Sequence, residues 1–189
     1  MEHILSLLVF FPAMAGLLGF LVTKESIRAY GISVTAIEFF LSIVLWIGYD
    51  SNNAGYQFVE YYPFIPSYGM SYYLGVDGIS LFLVILSTFI TMISFIALSI
   101  KNEIKNLIIS VLFLEMTMVG VFLILDVIWF YAFWELSLVP MLYIIGAWGS
   151  ANRMYASIKF FLYTFAGSVL MLVGILYMGF LYHEATGIW

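Results

Sequence analysis

Residues 79–100 read ISLFLVILSTFITMISFIALSI, an apolar run without a single charged side chain. At about 1.5 Å of rise per residue, a helix of this length spans about 33 Å, the thickness of the hydrocarbon core of a bilayer. Reading outward from this run, five more stretches have the same character, at 4–23, 29–49, 107–125, 127–148 and 156–182. The composition agrees. The chain has 189 residues, 65% hydrophobic and 9% charged, where a soluble domain has roughly 25% charged. Mean hydropathy is +1.10. A soluble globule of this length buries only about 70% of its surface and cannot hide so much apolar side chain. A soluble enzyme, a nucleic-acid binder and a disordered tail are excluded. The fold class is all-α: a polytopic membrane bundle of about six transmembrane helices, forming a single membrane domain over residues 1–189.

The basic residues orient it. All six lie in three clusters: Lys24 and Arg28, Lys101 and Lys105, Arg153 and Lys159. These clusters alternate with segments free of Lys and Arg: the N-terminus, 50–78, the turn near Asp126 and 183–189. Positive charge is retained on the cytoplasmic side. The three basic clusters are therefore expected inside, and both termini outside. Met1-Glu2-His3 lacks the basic region of a signal peptide, so the first apolar run reads as a span.

The segment 50–78 is the only sizeable loop, crowded with Tyr56, Phe58, Tyr61, Tyr62, Phe64, Tyr68, Tyr72 and Tyr73. Amphipathic rings favour the interface, so it reads as an aromatic layer on the outer face; a carbohydrate or quinone site is the alternative. Pro63, Pro66 and Gly69 mark turns. Asp77 is expected to cap the third helix.

Three carboxylates fall inside spans: Glu38, Glu115 and Glu135. An acid at bilayer depth costs about 3 kcal/mol or more, so each needs a reason. Helix rise places all three within about 3 Å of the midplane, which points to a polar layer across the bundle. On the second helix Gly31, Thr35, Glu38 and Ser42 share a face; on the third, Ser80, Ser87, Thr91 and Ser94 do. Small and hydroxyl residues at such spacing mark helix contacts, and Glu38 is readable as a buried acid that fixes packing. Glu135 stands apart. Pro140 follows five residues later and removes an intrahelical bond near Leu136. An acid beside a helix break at mid-depth is the layout of ion-coupled transporters. A desolvated carboxyl resists ionisation, so Glu135 is a candidate to load and release a proton. Lys159 is either its water-bridged cation or an inner-surface anchor with Arg153. A tight turn near Asp126 is expected to bring Glu115 close to Glu135; the alternative is a lone acid facing another helix.

The absences narrow the chemistry. With no cysteine there is no disulfide, thiolate metal site or iron–sulfur cluster. His3 and His183 lie outside the spans, so no histidine pair is placed to ligate haem. No metal-spacing motif or glycine-rich phosphate loop occurs.

The run Phe133-Trp134-Glu135-Leu136-Ser137-Leu138-Val139-Pro140-Met141, followed by Ile144-Ile145-Gly146-Ala147-Trp148-Gly149, resembles the signature of the antiporter-like subunit M (chain 4) family of respiratory complex I, NADH-quinone oxidoreductase. Leu74-Gly75-Val76-Asp77-Gly78-Ile79-Ser80-Leu81 resembles the start of that family's third helix. Arg153, Ala156, Lys159-Phe160-Phe161, Tyr163-Thr164 and Gly167-Ser168 resemble its sixth. The resemblance implies a proton-translocating membrane subunit, with Glu135 as the essential fifth-helix glutamate and Glu115 as its neighbour. It implies no redox cofactor here: NADH, FMN, iron–sulfur clusters and quinone would be handled by other subunits. The implied partners are other membrane subunits of the complex, above all the neighbouring antiporter-like ones, and the lipid bilayer, with no nucleic acid. A bacterial cytoplasmic membrane is expected ahead of the mitochondrial inner membrane. The resemblance covers the N-terminal part of the family pattern; the family's seventh-helix lysine and its second, inverted repeat have no counterpart among these residues. A multisubunit cation/proton antiporter and a non-conducting structural fragment are the competing readings.

Overall fold

The apolar runs fold as helices because a helix satisfies the backbone hydrogen bonds of an apolar, membrane-crossing segment internally. The computed structural model describes residues 3–98 and 104–187; Lys101, which contributes to the expected orientation, lies outside the described residues. The helices are α1 (Ile4–Gly19), α2 (Ile27–Ile47), α3 (Gly78–Ala97), α4 (Ile104–Leu123), α5 (Val127–Trp148) and α6 (Arg153–Thr186). Five of them, α2 to α6, are long and apolar enough to cross a membrane, while α1 has only 16 residues. The chain is an integral membrane protein. The expected first span 4–23 thus stops four residues early, and α6 runs to 34 residues, well beyond 156–182. Pro140 does not break its helix: α5 continues through it.

The all-α expectation is corrected at 50–78. This segment forms a hairpin, β1 (Gln57–Ile65) and β2 (Met70–Val76), paired antiparallel with Tyr61 opposite Tyr73 and Tyr62 opposite Tyr72. Aromatic and β-branched residues favour a pleated strand, and Gly69 at φ 66° supplies the left-handed turn residue.

The hairpin also satisfies helix ends. The first backbone N–H groups of any helix lack intrahelical acceptors. Glu60 of β1, 3% exposed, accepts from the N–H of Leu5 at 2.8 Å and of Ser6 at 3.2 Å, and from the Ser6 hydroxyl. Asp77 caps α3 with a reciprocal Asp77–Ser80 capping box. Asp126 caps α5 and accepts from the Ser71 N–H of β2 at 2.9 Å. At the opposite ends, cations reach the free carbonyls. Lys105 donates to Phe20 and Val22 just past α1, Arg28 to Ile96 of α3, and Arg153 to Ala147 of α5. Acids at N-termini and bases at C-termini both complement the helix dipole. The odd-numbered helices therefore run parallel to each other, with the hairpin at their N-terminal ends.

Two apolar clusters fill the bundle. Leu5, Leu8, Leu74, Leu81 and Leu123 pack at the hairpin end; Ala15, Ile27, Phe95, Ile108 and Leu112 pack at the other. Helix α6 lies against α5 and buries only Ser157 and Ser168 fully.

Candidate functional site: the mid-helix acids

The three span acids sit near the centres of their helices, within about three residues or roughly 4 Å of rise. They separate into two groups.

The first group is centred on Glu135, on the half-buried side of α5 that meets α6. The hydroxyl of Ser168, itself 4% exposed, donates to Glu135 Oε1. Tyr131, one turn before Glu135 on the same face, lies within hydrogen-bonding reach of both. A serine hydroxyl both donates and accepts. It therefore serves Glu135 as carboxylate, by donating, and as neutral acid, by accepting the carboxyl proton. Neither Ser168 nor Tyr131 was expected as a site residue. Tyr131 carried a readable signal, its four-residue spacing from Glu135; Ser168 became a partner only through the docking of α6.

The second group is Glu38 and Glu115, which face each other where α2 meets α4, with Thr91 of α3 beside Glu115. Glu115 does not pair with Glu135 as expected. The reason is helix phase. Gly120 marks the face of α4 that meets α5, because a Cβ there would lie 2.6 Å from the Phe133 ring. Glu115 is five residues earlier, about 140° around the axis, and points away. The predicted stripe on α2 holds: Gly31, Thr35, Glu38 and Ser42 are all buried. The stripe on α3 holds in part: Ser87 is buried and Thr91 lies beside Glu115, but Ser80 and Ser94 are not buried. Ser42 meets the hydroxyl of Thr88 at 3.0 Å, while Ser94 bonds within its own helix to Ile90.

Lys159 does not face Glu135 either. Its Nζ stands over the rings of Tyr155 and Tyr163, at 5.6 and 5.8 Å, a cation–π arrangement. Lys159 lies nine residues before Ser168, about 14 Å along α6 and on the opposite face. Pro140 lies about 140° from Glu135 on α5 and lines an apolar groove of about 360 Å³ with Phe113, Met116 and Leu136. Among the described residues no group of three or more His, Cys, Asp or Glu is placed to hold a metal.

Residues 124–187 match the family described as NADH:quinone oxidoreductase/Mrp antiporter, TM. This stretch begins just before the Asp126 cap and ends just after α6. NADH-quinone oxidoreductase subunit M of Rhodobacter capsulatus is 41% identical over 186 residues, covering 94% of this chain. The chain is similar to subunit M over nearly its whole length. NADH-ubiquinone oxidoreductase chain 4 of Arabidopsis thaliana is 45% identical over 153 residues, 79% of the chain. A chain in the structure of Thermus thermophilus respiratory complex I with bound NADH superposes with TM-score 0.80 and 25% identity over 91% of this chain. The subunit M resemblance carried by residues 133–149 is thus borne out. The chain spans about a third of these proteins: 36% and 31% of the curated relatives and 35% of the solved chain. Those relatives are subunits of multisubunit respiratory complexes.

Proposed function

We propose that this chain supplies part of a proton pathway to a proton-translocating NADH-quinone oxidoreductase, with Glu135 as the group that takes up and releases the proton. The observation that carries the reading is the Glu135–Ser168 hydrogen bond between α5 and α6. It gives a mid-membrane acid a partner competent in both protonation states. Tyr131 completes the cluster. Glu115 and Lys159 are not assigned to this step, because neither is directed at Glu135.

In this reading the chain carries no redox group; NADH, FMN, iron–sulfur clusters and quinone belong to other subunits. Its neighbours are other membrane subunits of the complex, the antiporter-like ones first. All six helices span, α1 with the help of the turn that follows it, and both termini and the hairpin face outward. The alternation of acidic caps and basic anchors at the helix ends supports this orientation, since Lys and Arg are retained inside. The membrane is the bacterial cytoplasmic membrane.

The test is Glu135→Gln in the assembled complex. The amide keeps shape and hydrogen bonding but cannot ionise. Pumping per electron in membrane vesicles should fall to a small fraction of wild type, while Glu135→Asp retains much of it. Normal pumping by a fully assembled Glu135→Gln complex removes the proposal. The match to a family that includes Mrp antiporters motivates one competing reading, a cation/proton antiporter subunit. Transport that requires sodium and proceeds without NADH oxidation would favour it.

A further inference from the structure

The facing acids of α2 and α4 have no role in the pathway just described. Glu38 and Glu115 are 0% and 1% exposed, and none of their four carboxyl oxygens has a hydrogen-bond partner of good geometry. The helices packed around them offer no counter-charge. Neither α1 nor α3 contains an ionisable side chain. The cations on α2 and α4, Arg28 and Lys105, are each ten residues from the acid on their helix, about 15 Å along the axis, and both are bonded to backbone carbonyls. Tyr30 of α2 donates to the carbonyl of Ala15. On α5, which packs on the other side of α4, Glu135 is held by Ser168, Tyr131 reaches that same pair, and Tyr143 lines the groove beside Pro140.

Two carboxylates side by side here would repel each other, and each would bear a desolvation cost with no cation to offset it. One proton changes this. It neutralises one acid and turns it into an O–H donor for the other, so that orphaned oxygens become a hydrogen-bonded pair. A second, independent feature marks the place as polar rather than merely packed. Ser87 of α3, 6% exposed, has a hydroxyl without a partner and sits one turn before Thr91, which lies beside Glu115 and donates to the Ser87 carbonyl at 3.0 Å.

We propose that Glu38 and Glu115 together bind one exchangeable proton, forming a proton site between α2 and α4 that is separate from Glu135. Exchange is a simple proton transfer: the carboxyl O–H bond breaks, an O–H bond forms on the acceptor, and no other bond changes. Thr91 and Ser87 are the hydroxyls placed to receive or supply that proton. The proposal does not rest on the assignment of Glu135.

Infrared difference spectroscopy across a pH titration of the purified membrane assembly tests it, reading carboxyl protonation directly and without pumping. Wild type should show a pH-dependent carboxyl signal whose position shifts in D2O. Glu38→Gln and Glu115→Gln should each abolish that same signal, because each leaves a single buried carboxyl that keeps its proton. Glu135→Gln should leave it in place. Glu38→Asp preserves the pair at altered spacing and should move the midpoint; if the Gln variants fail to assemble, this variant decides. Overturning results are no such signal in wild type, persistence of the signal in either Gln variant, an unmoved midpoint in Glu38→Asp, or displacement of the signal by added sodium, which would make the pair a cation site. Loss of pumping in Glu135→Gln with this signal intact, or the reverse, separates the two proposals.

Discussion

Ser168 shows how much one hydroxyl can decide. It is one of two fully buried side chains on a helix whose other side chains are half-buried or exposed, and it holds the acid on which the proposed pathway depends. Ser168→Ala should lower stability by about 1 kcal/mol and reduce pumping several-fold, whereas Ser168→Thr, which keeps the hydroxyl, should restore most of both. Thermal unfolding in detergent and vesicle pumping measure the two effects; unchanged pumping in the alanine variant would reduce Ser168 to a packing residue. At the start of α3, the backbone N–H of Ser80, with its hydroxyl and the Ile79 N–H, holds the Asp77 carboxyl below its ordinary value. A carboxyl lowered on folding contributes stability above its unfolded value, and this contribution is lost as pH falls through the folded value. Wild type should therefore lose stability as pH drops below about 4. Asp77→Asn, still a competent cap, should flatten that part of the profile in a pH series of thermal melts. An unchanged acid slope would detach Asp77 from it.

Among the elements, the seam between α4 and α5 sets where Glu135 stands. Gly120 lets the Phe133 ring approach so closely that any Cβ would overlap it, and Phe133 is two residues from Glu135. Gly120→Ala should cost about 1–3 kcal/mol, the range for overpacking a closed interface. Phe133→Leu, introduced with it, should recover part of the loss. Melting temperatures of the two single variants and the double variant form the test; additive losses would mean that the two residues are not in conflict. The hairpin acts at the same scale. Its Glu60 carboxylate serves as the N-terminal cap of α1 from more than fifty residues away, and the main chain of its β2 strand is bonded to Asp126 and Leu125 at the α4–α5 turn.

For the molecule as a whole, the testable property is sidedness. Acidic caps lie at one end of the odd-numbered helices and basic anchors at the other. The chain has no cysteine, so single introduced thiols report cleanly. A cysteine at Asn53, before the hairpin, should react with an impermeant reagent only from the outer face. One at Ser150, in the α5–α6 turn, should react only from the inner face. The inverse labelling pattern would reverse the orientation, and reaction of both from one side would remove a span.

The sequence by itself determined the membrane class, the positions of the apolar runs, the Asp77 cap and the mid-depth placement of Glu38, Glu115 and Glu135. These depend on local composition and on distance along one helix, which a linear text records. It also carried the subunit M resemblance, because the residues around Glu135 are contiguous. Only the tertiary structure decided which acid meets which. Glu115 could face α2 or α5 with the same sequence spacing, and the contact between Gly120 and Phe133 turns it toward α2. Lys159 was basic and nearby in sequence, yet the rotation of α6 sets it over Tyr155 and Tyr163. The 50–78 segment looked like an interfacial aromatic layer; its strands formed because aromatic pairs across a hairpin stabilise each other, and Glu60 was drawn inward by the unsatisfied N–H groups of α1. Helix rotation and long-range capping depend on how all the elements pack at once, and no stretch of the chain contains that information alone.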